Sequence, residues 1–186
     1  MVKLHQSLGI AIALGACATQ AAAEDFALTS TDIQPAQMLS DMQVFNGFGC
    51  TGKNQSPQLQ WSHPPAGTRS FAVTMYDPDA PTGSGWWHWV AFNIPASTQS
   101  LERNAGSSTS PRMPAGVIQS RTDFETPGFG GACPPVGHGK HRYQFTVYAL
   151  KVDKLDLDAN ASAALVGYMI NSNKIGQASI EAIYQR

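Results

Sequence analysis

Residues 76–92 read YDPDAPTGSGWWHWVAF, and this stretch decides the fold because it joins two strand-like segments through a turn. Residues 70–76 (SFAVTMY) and residues 87–94 (WHWVAFNI) are rich in the β-branched and aromatic residues that favour strands. Pro78 and Pro81 cannot donate backbone hydrogen bonds, so they end the first strand. Both segments are apolar on both faces, which predicts central strands that are covered on each side.

Residues 141–148 (HRYQFTVY) alternate instead, which predicts a half-buried strand with His141 at its entry. Shorter strands are expected at residues 43–48, 58–61 and 117–123, and residues 180–184 fit either a last strand or a second short helix. One amphipathic helix is predicted near the C-terminus, before residues 180–184. Asp158 or Asn160 would be its cap, and its inward stripe would be formed by Ala164, Leu165, Tyr168, Met169 and Ser172. These elements predict a mainly β fold of two antiparallel sheets with a C-terminal helix packed at one end.

The first 23 residues have the pattern of a secretory signal peptide. Lys3 gives a basic start, residues 8–18 are apolar, and residues 21–23 (AAA) form a small-residue cleavage site. We therefore expect a periplasmic or secreted protein without a transmembrane segment, built as a single domain of residues 24–186. The alternative is lipid attachment at Cys17, because residues 14–17 (LGAC) are similar to a bacterial lipobox.

Cleavage would leave two cysteines, Cys50 and Cys133, in an oxidising compartment, and an even pair predicts one disulfide. Two free buried thiols are the alternative. The net charge says little about partners, because the mature chain would carry 11 basic and 13 acidic residues once Lys3 is lost. It has no basic patch, so no nucleic-acid partner is expected.

Several polar residues stand at the ends of the predicted strands. Asp77 and Asp79 flank Pro78 and fit a turn in which carboxylates accept backbone N–H groups, but they also fit a binding site. Alternation along the next strand places Trp86, His88, Val90 and Phe92 on one face and Trp87, Trp89 and Ala91 on the other. His141 follows a loop rich in glycine and proline, residues 128–139, whose backbone N–H groups could bind an anion.

Enzyme functions find less support in these residues. The histidines and aspartates match no zinc spacing, and His138 and His141 are predicted to point apart because residues three apart on a strand face opposite sides. No nucleophile elbow occurs. We expect no cofactor, no metal and no catalysis, with a metal-dependent hydrolase as the weaker alternative.

Three motifs carry a resemblance: residues 77–81 (DPDAP), residues 86–88 (WWH), and the two prolines 134 and 135 followed by residues 139–143 (GKHRY). Together they resemble the signatures of the phosphatidylethanolamine-binding protein family, and residues 54–61 and 164–170 are similar to its exported bacterial branch, the Raf-kinase-inhibitor-like proteins. The resemblance implies two antiparallel sheets and a small anion pocket. The residues it assigns to that pocket are Asp77, Asp79, Trp86, His88, His141 and Tyr143.

The chain also departs from the family pattern. Only four residues separate Pro81 from Trp86, which removes an aromatic lid residue of animal members and predicts a more open pocket. Cys133 stands where animal members have glycine.

The expected ligand is a small anionic or zwitterionic phospho-compound. In this hypothesis the phosphate accepts hydrogen bonds from His88, His141, Tyr143 and loop N–H groups. The ammonium or hydroxyl group of the ligand donates to Asp77 and Asp79. The alternative function is a protease inhibitor or host-interaction factor that acts through an outer surface. A protein partner and a homodimer, with contacts near Trp87 or Trp89, are further expectations.

Overall fold

The computed structural model describes Met1 and residues 24–186, so the predicted signal peptide and Cys17 lie outside the described residues. Within the described part of the chain, ten strands and one helix follow in order. They are β1 (Ala27–Thr29), β2 (Asn46–Gly47), β3 (Cys50–Thr51), β4 (Leu59–Ser62), β5 (Ser70–Asp77), β6 (Trp86–Pro95), β7 (Ser100–Leu101), β8 (Ile118–Gln119), β9 (His141–Leu150), α1 (Ala163–Asn173) and β10 (Lys174–Tyr184).

The strands form two antiparallel sheets and a short hairpin. The large sheet has the order β10-β9-β5-β6-β8, the small sheet has the order β1-β4-β7, and β2 pairs with β3. The predicted mainly β fold with two antiparallel sheets and a C-terminal helix is confirmed. Residues 180–184 belong to strand β10, and the strands expected at 43–48 and 117–123 are only two-residue ladders.

Two hydrophobic clusters cover the two faces of the large sheet. The larger cluster joins its inner face to the small sheet, where Trp61 lies against Phe71 with 5.3 Å between ring centroids. The second cluster packs Val90 and Phe92 of β6 against Val166 of α1. The central strands β5 and β6 are therefore buried on both sides, as their apolar composition predicts.

A bulge in β6 changes the side-chain alternation at His88. Met75 pairs with Trp89 and Tyr76 pairs with Trp87, so His88 is an extra residue without a partner across the β5–β6 ladder. His88 and Trp87 point to opposite faces of the sheet, as predicted. Beyond the bulge the two faces are exchanged, so the faces predicted for Trp89 and Val90 are wrong: Trp89 joins the inner cluster, and Val90 packs with the helix.

The helix uses a different cap and a different face from those predicted. Ser162 is the N-cap, and its hydroxyl accepts a hydrogen bond from the Leu165 N–H. Ala163, Val166 and Ile170 are buried, whereas Leu165 and Tyr168 are exposed. The sequence contains two apolar stripes at helical spacing, and contact with the sheet selects the one that periodicity did not favour.

Cys50 and Cys133 form a disulfide, as predicted from the two cysteines that remain after the expected cleavage. The bond joins the β2–β3 hairpin to the loop that precedes β9. Within residues 24–186, no helix has the length and apolar character needed to cross a membrane.

Candidate functional site

A cavity of about 210 Å³ opens where β5 ends and where β6 and β9 begin. These termini meet because the three strands are antiparallel neighbours. The lining side chains come from the strand ends, the turn after β5 and three loops. They are Phe48, Asp77, Ala80, Pro81, Thr82, Trp86, His88, Phe124, Cys133, Pro134, Pro135, His141 and Tyr143.

Asp77 and His141 form a buried pair at the base of this cavity. The His141 Nδ1 atom lies 2.7 Å from Asp77 Oδ2, and both side chains are almost fully buried. The other carboxylate oxygen of Asp77 accepts a hydrogen bond from the Asp79 N–H at 2.8 Å. Asp77 therefore forms the turn that its spacing indicates, and its side chain also lines the cavity.

His138 extends this pair to the surface. Its Nδ1 atom lies 2.8 Å from His141 Nε2, so both ring nitrogens of His141 are engaged within the protein. The prediction that His138 and His141 point apart is wrong. His138 belongs to the loop before β9 and is not bound by strand alternation, so the loop can fold back over the ring.

His88 has a defined hydrogen-bonding arrangement. Its Nδ1 atom lies 2.8 Å from the Gly130 carbonyl oxygen, which can only accept, so Nδ1 carries the proton. Burial disfavours the charged ring and lowers the pKa of His88 to about 4. The ring is therefore neutral at pH 7, with edge contacts to Phe124 and Tyr143.

Two polar atoms of the cavity wall have no hydrogen-bond partner among the described residues. They are the indole Nε1 of Trp86 and the hydroxyl oxygen of Tyr143. Burial raises the pKa of Tyr143, so its hydroxyl remains protonated. Buried polar groups are nearly always paired in proteins, so these two donors are exceptions.

Asp79 is the one predicted site residue that does not line the cavity. Its carboxylate accepts hydrogen bonds from the Arg142 backbone N–H and from the guanidinium at 2.8–2.9 Å. The hydrogen bond to this guanidinium holds the pKa of Asp79 below its usual value. Asp79 thus ties the turn after β5 to strand β9, and its charge is paired with that of Arg142.

The backbone N–H groups of the loop before β9 are also largely engaged. Gly130 N–H donates to the His88 carbonyl, Gly131 N–H donates to the Asn54 side chain, and Gly137 N–H donates to the Arg186 carbonyl. These groups are not available to an anion, unlike the expectation from the glycine content. The loop instead positions His88 through the Gly130 carbonyl.

Aromatic residues that the sequence analysis missed form the rim. Phe124 stacks on Phe45 with 4.4 Å between ring centroids and meets Trp86 edge to face. Phe48, at the tip of the β2–β3 hairpin, is 68% exposed and also lines the cavity. The aromatic cluster near Cys50 was the available signal, because the predicted disulfide brings this hairpin to the proline loop.

A family model described as "Phosphatidylethanolamine-binding protein" matches residues 29–185. The chain belongs to the phosphatidylethanolamine-binding protein family. This confirms the resemblance that the motifs carry. Among relatives in this family, the chain is 55% identical to the UPF0098 protein YbcL of Escherichia coli strain K12, over 89% of this chain and 90% of the relative. It is 50% identical to YbhB of the same strain, over 84% of this chain and 98% of the relative.

The fold comparison agrees with the sequence comparison. The crystal structure of E. coli YbcL, described as a new member of the mammalian family, superposes with a TM-score of 0.86 at 53% identity. The match covers 88% of this chain and 99% of the solved chain. The cavity described above therefore belongs to a phosphatidylethanolamine-binding protein fold.

Proposed function

We propose that this chain is an exported, non-catalytic binding protein whose cavity holds a small zwitterionic phospho-head group. The observation that carries the proposal is the pair of unpartnered donors, Trp86 Nε1–H and Tyr143 O–H, in the wall of one cavity. Both would donate to phosphoryl oxygens of the ligand. A buried donor that gains such a partner recovers the free energy lost when it was removed from water.

The carboxylate of Asp77 provides the complementary acceptor. It lies in the same cavity, and each oxygen already accepts one hydrogen bond, which leaves lone pairs for a ligand ammonium or hydroxyl group. An ammonium group also offsets the repulsion between this carboxylate and a phosphate. Phosphoethanolamine combines the two groups in one small molecule.

This assignment revises the ligand contacts expected from the sequence. His141 is engaged with Asp77 and His138, and Asp79 is engaged with Arg142. We assign these residues to positioning. The direct contacts in the proposal come from Asp77, Trp86, Tyr143 and the free ring nitrogen of His88.

The test is a titration of the mature protein with phosphoethanolamine, followed by NMR of the Trp86 indole N–H and by calorimetry. Tyr143→Phe should weaken binding by about tenfold, because it removes one donor to a charged oxygen. Tyr148→Phe is the matched control, since Tyr148 lies on the helix side of the large sheet. Wild-type protein that shows no shift at Trp86 and no heat of binding would refute the proposed function.

A further inference from the structure

We infer that the cavity takes a phosphate monoester in its singly protonated form and discriminates against the corresponding sulfate ester. The inference rests on the proposed function, since it concerns the protonation state and class of the same ligand. It follows from the balance of donors and acceptors in the cavity wall, which requires a ligand that donates as well as accepts.

The first acceptor is His88. The Gly130 carbonyl fixes the ring proton on Nδ1, so Nε2 presents a lone pair in the neutral ring. No hydrogen bond among the described residues uses Nε2, and the ring lines the cavity. A fully ionised phosphate or a sulfate can only accept hydrogen bonds, and its oxygen would face this lone pair unfavourably.

Burial keeps the His88 ring neutral at neutral pH, although the nearby carboxylates of Asp77 and Asp123 favour its protonation. Its pKa is lowered to about 4 by burial, against an opposing contribution from the Asp77 carboxylate. The other titratable side chains in the cavity wall are His141 and Tyr143, and Asp123 acts on the ring from the neighbouring loop. The neutral ring is therefore the state that meets the ligand.

The second acceptor is Asp77, and its charge sets the tolerated charge of the ligand. The lining residues include one carboxylate but neither lysine nor arginine. Outside the cavity lining, the Arg142 guanidinium is held by Asp79, and the Arg186 guanidinium donates to backbone carbonyl oxygens of the cavity wall. The dianion of a phosphate monoester would bring two negative charges beside this carboxylate, whereas the monoanion brings one and supplies a P–OH donor.

A phosphate monoester suits this arrangement because its second pKa is about 6, so the monoanion predominates below about pH 6 and is roughly a tenth of the total at pH 7. Its P–OH group would donate to His88 Nε2, while its other oxygens accept from Trp86 Nε1–H and Tyr143 O–H. A sulfate ester has nearly the same shape and carries a single negative charge, but it has no proton to donate. The two ligands therefore differ in the one group that His88 requires.

The experiment is calorimetry on the mature wild-type protein with phosphoethanolamine and O-sulfoethanolamine at about pH 5.5 and 7.5. At about pH 5.5 we expect the sulfate ester to bind at least about tenfold more weakly, the cost of a buried acceptor left without a donor. Affinity for total phosphoethanolamine should fall from the lower to the higher pH as the P–OH group ionises. The ¹⁵N signal of His88 Nε2 should remain that of an unprotonated nitrogen in the complex.

A variant separates the role of His88 from general fit. His88→Gln replaces the acceptor nitrogen by an amide that can donate, so the preference for phosphate over sulfate should shrink to within about threefold. His63→Gln, a change at an exposed histidine, should keep the wild-type preference.

The outcomes distinguish the two levels of the proposal. Equal affinity of the wild-type protein for both esters at about pH 5.5, or a protonated His88 Nε2 in the complex, would overturn this inference and leave the proposed function standing. Failure of both esters to bind would overturn the proposed function itself. Because the ester comparison uses the unmodified protein, it remains decisive if His88→Gln does not fold.

Discussion

His88 is buried at the bulge of β6, where its ring contacts Phe124 and Tyr143. Its folded pKa of about 4 lies below the ordinary value of 6.5, so the unfolded chain binds the proton more readily between these two pH values. Stability from this residue is therefore complete above pH 6.5 and is lost as the pH falls toward 4.

This linkage predicts that the free energy of unfolding decreases by about 2 kcal/mol from His88 alone between pH 7 and pH 5. Urea titrations across this range measure the change. His88→Gln should reduce the slope, whereas His63→Gln should retain it because His63 is exposed. An unchanged slope in a folded His88→Gln protein would contradict the assignment of a neutral buried ring.

The hydrogen-bonded chain of Asp77, His141 and His138 predicts unequal costs for its two imidazoles. His141→Ala should lower the free energy of unfolding by about 2–4 kcal/mol, because it leaves the buried Asp77 carboxylate without its imidazole partner. His138→Ala should cost less than about 1 kcal/mol, because His138 is exposed. Denaturant unfolding of both variants measures these two losses. Equal losses would show that burial does not determine what each imidazole contributes to stability.

At the scale of elements, the disulfide holds the β2–β3 hairpin, and with it Phe48, against the proline loop of the cavity. Cys50 and Cys133 are 83 residues apart, so the chain-entropy model gives an upper figure of about 4–5 kcal/mol for the bond. Changing both residues to serine should lower stability by up to this amount and weaken phosphoethanolamine binding. Unfolding with and without reductant provides the control, and reductant should not affect the serine variant.

The face that α1 presents to the sheet gives a prediction with neighbouring residues. Val166 is fully buried and Leu165 is 45% exposed, although the sequence pattern favoured Leu165 as the inward residue. Val166→Ala should cost about 2 kcal/mol, and Leu165→Ala should cost less than about 0.5 kcal/mol. The reverse order in thermal or denaturant unfolding would show that the helix is rotated from the face described.

At the scale of the whole molecule, local pattern predicted the sheets well because β-rich runs and proline turns identify strands without tertiary information. The motifs also indicated the residues that meet at the cavity, and five of the six line it. The sequence pattern did not predict three features that depend on tertiary contacts. They are the bulge at His88, the buried face of the helix, and the loop that carries His138 onto His141. Asp79 could not be separated from Asp77 because both have the same local sequence signal.

The burial of Trp87 and Trp89 limits which surface could form the expected homodimer contact. Trp89 is fully buried in the inner cluster, so it cannot reach a second molecule. Trp87 lies beside the exposed Tyr168 on the helix side of the large sheet, which leaves this face for the predicted contact. Tyr168→Glu should then shift the sedimentation profile from dimer to monomer, and an unchanged profile would argue against this face.

Export, oxidation and ligand retention can be tested together on the protein purified from the periplasm. Cleavage after residues 21–23 predicts a mature chain that begins at Glu24, and the disulfide predicts a mass lower by two hydrogen atoms before reduction. Denaturing and native mass spectrometry measure both, together with any retained head group and the subunit number. Cys17→Ser should leave the product unchanged if Glu24 is the first residue, whereas loss of a lipidated, membrane-bound form in this variant would establish the lipoprotein alternative.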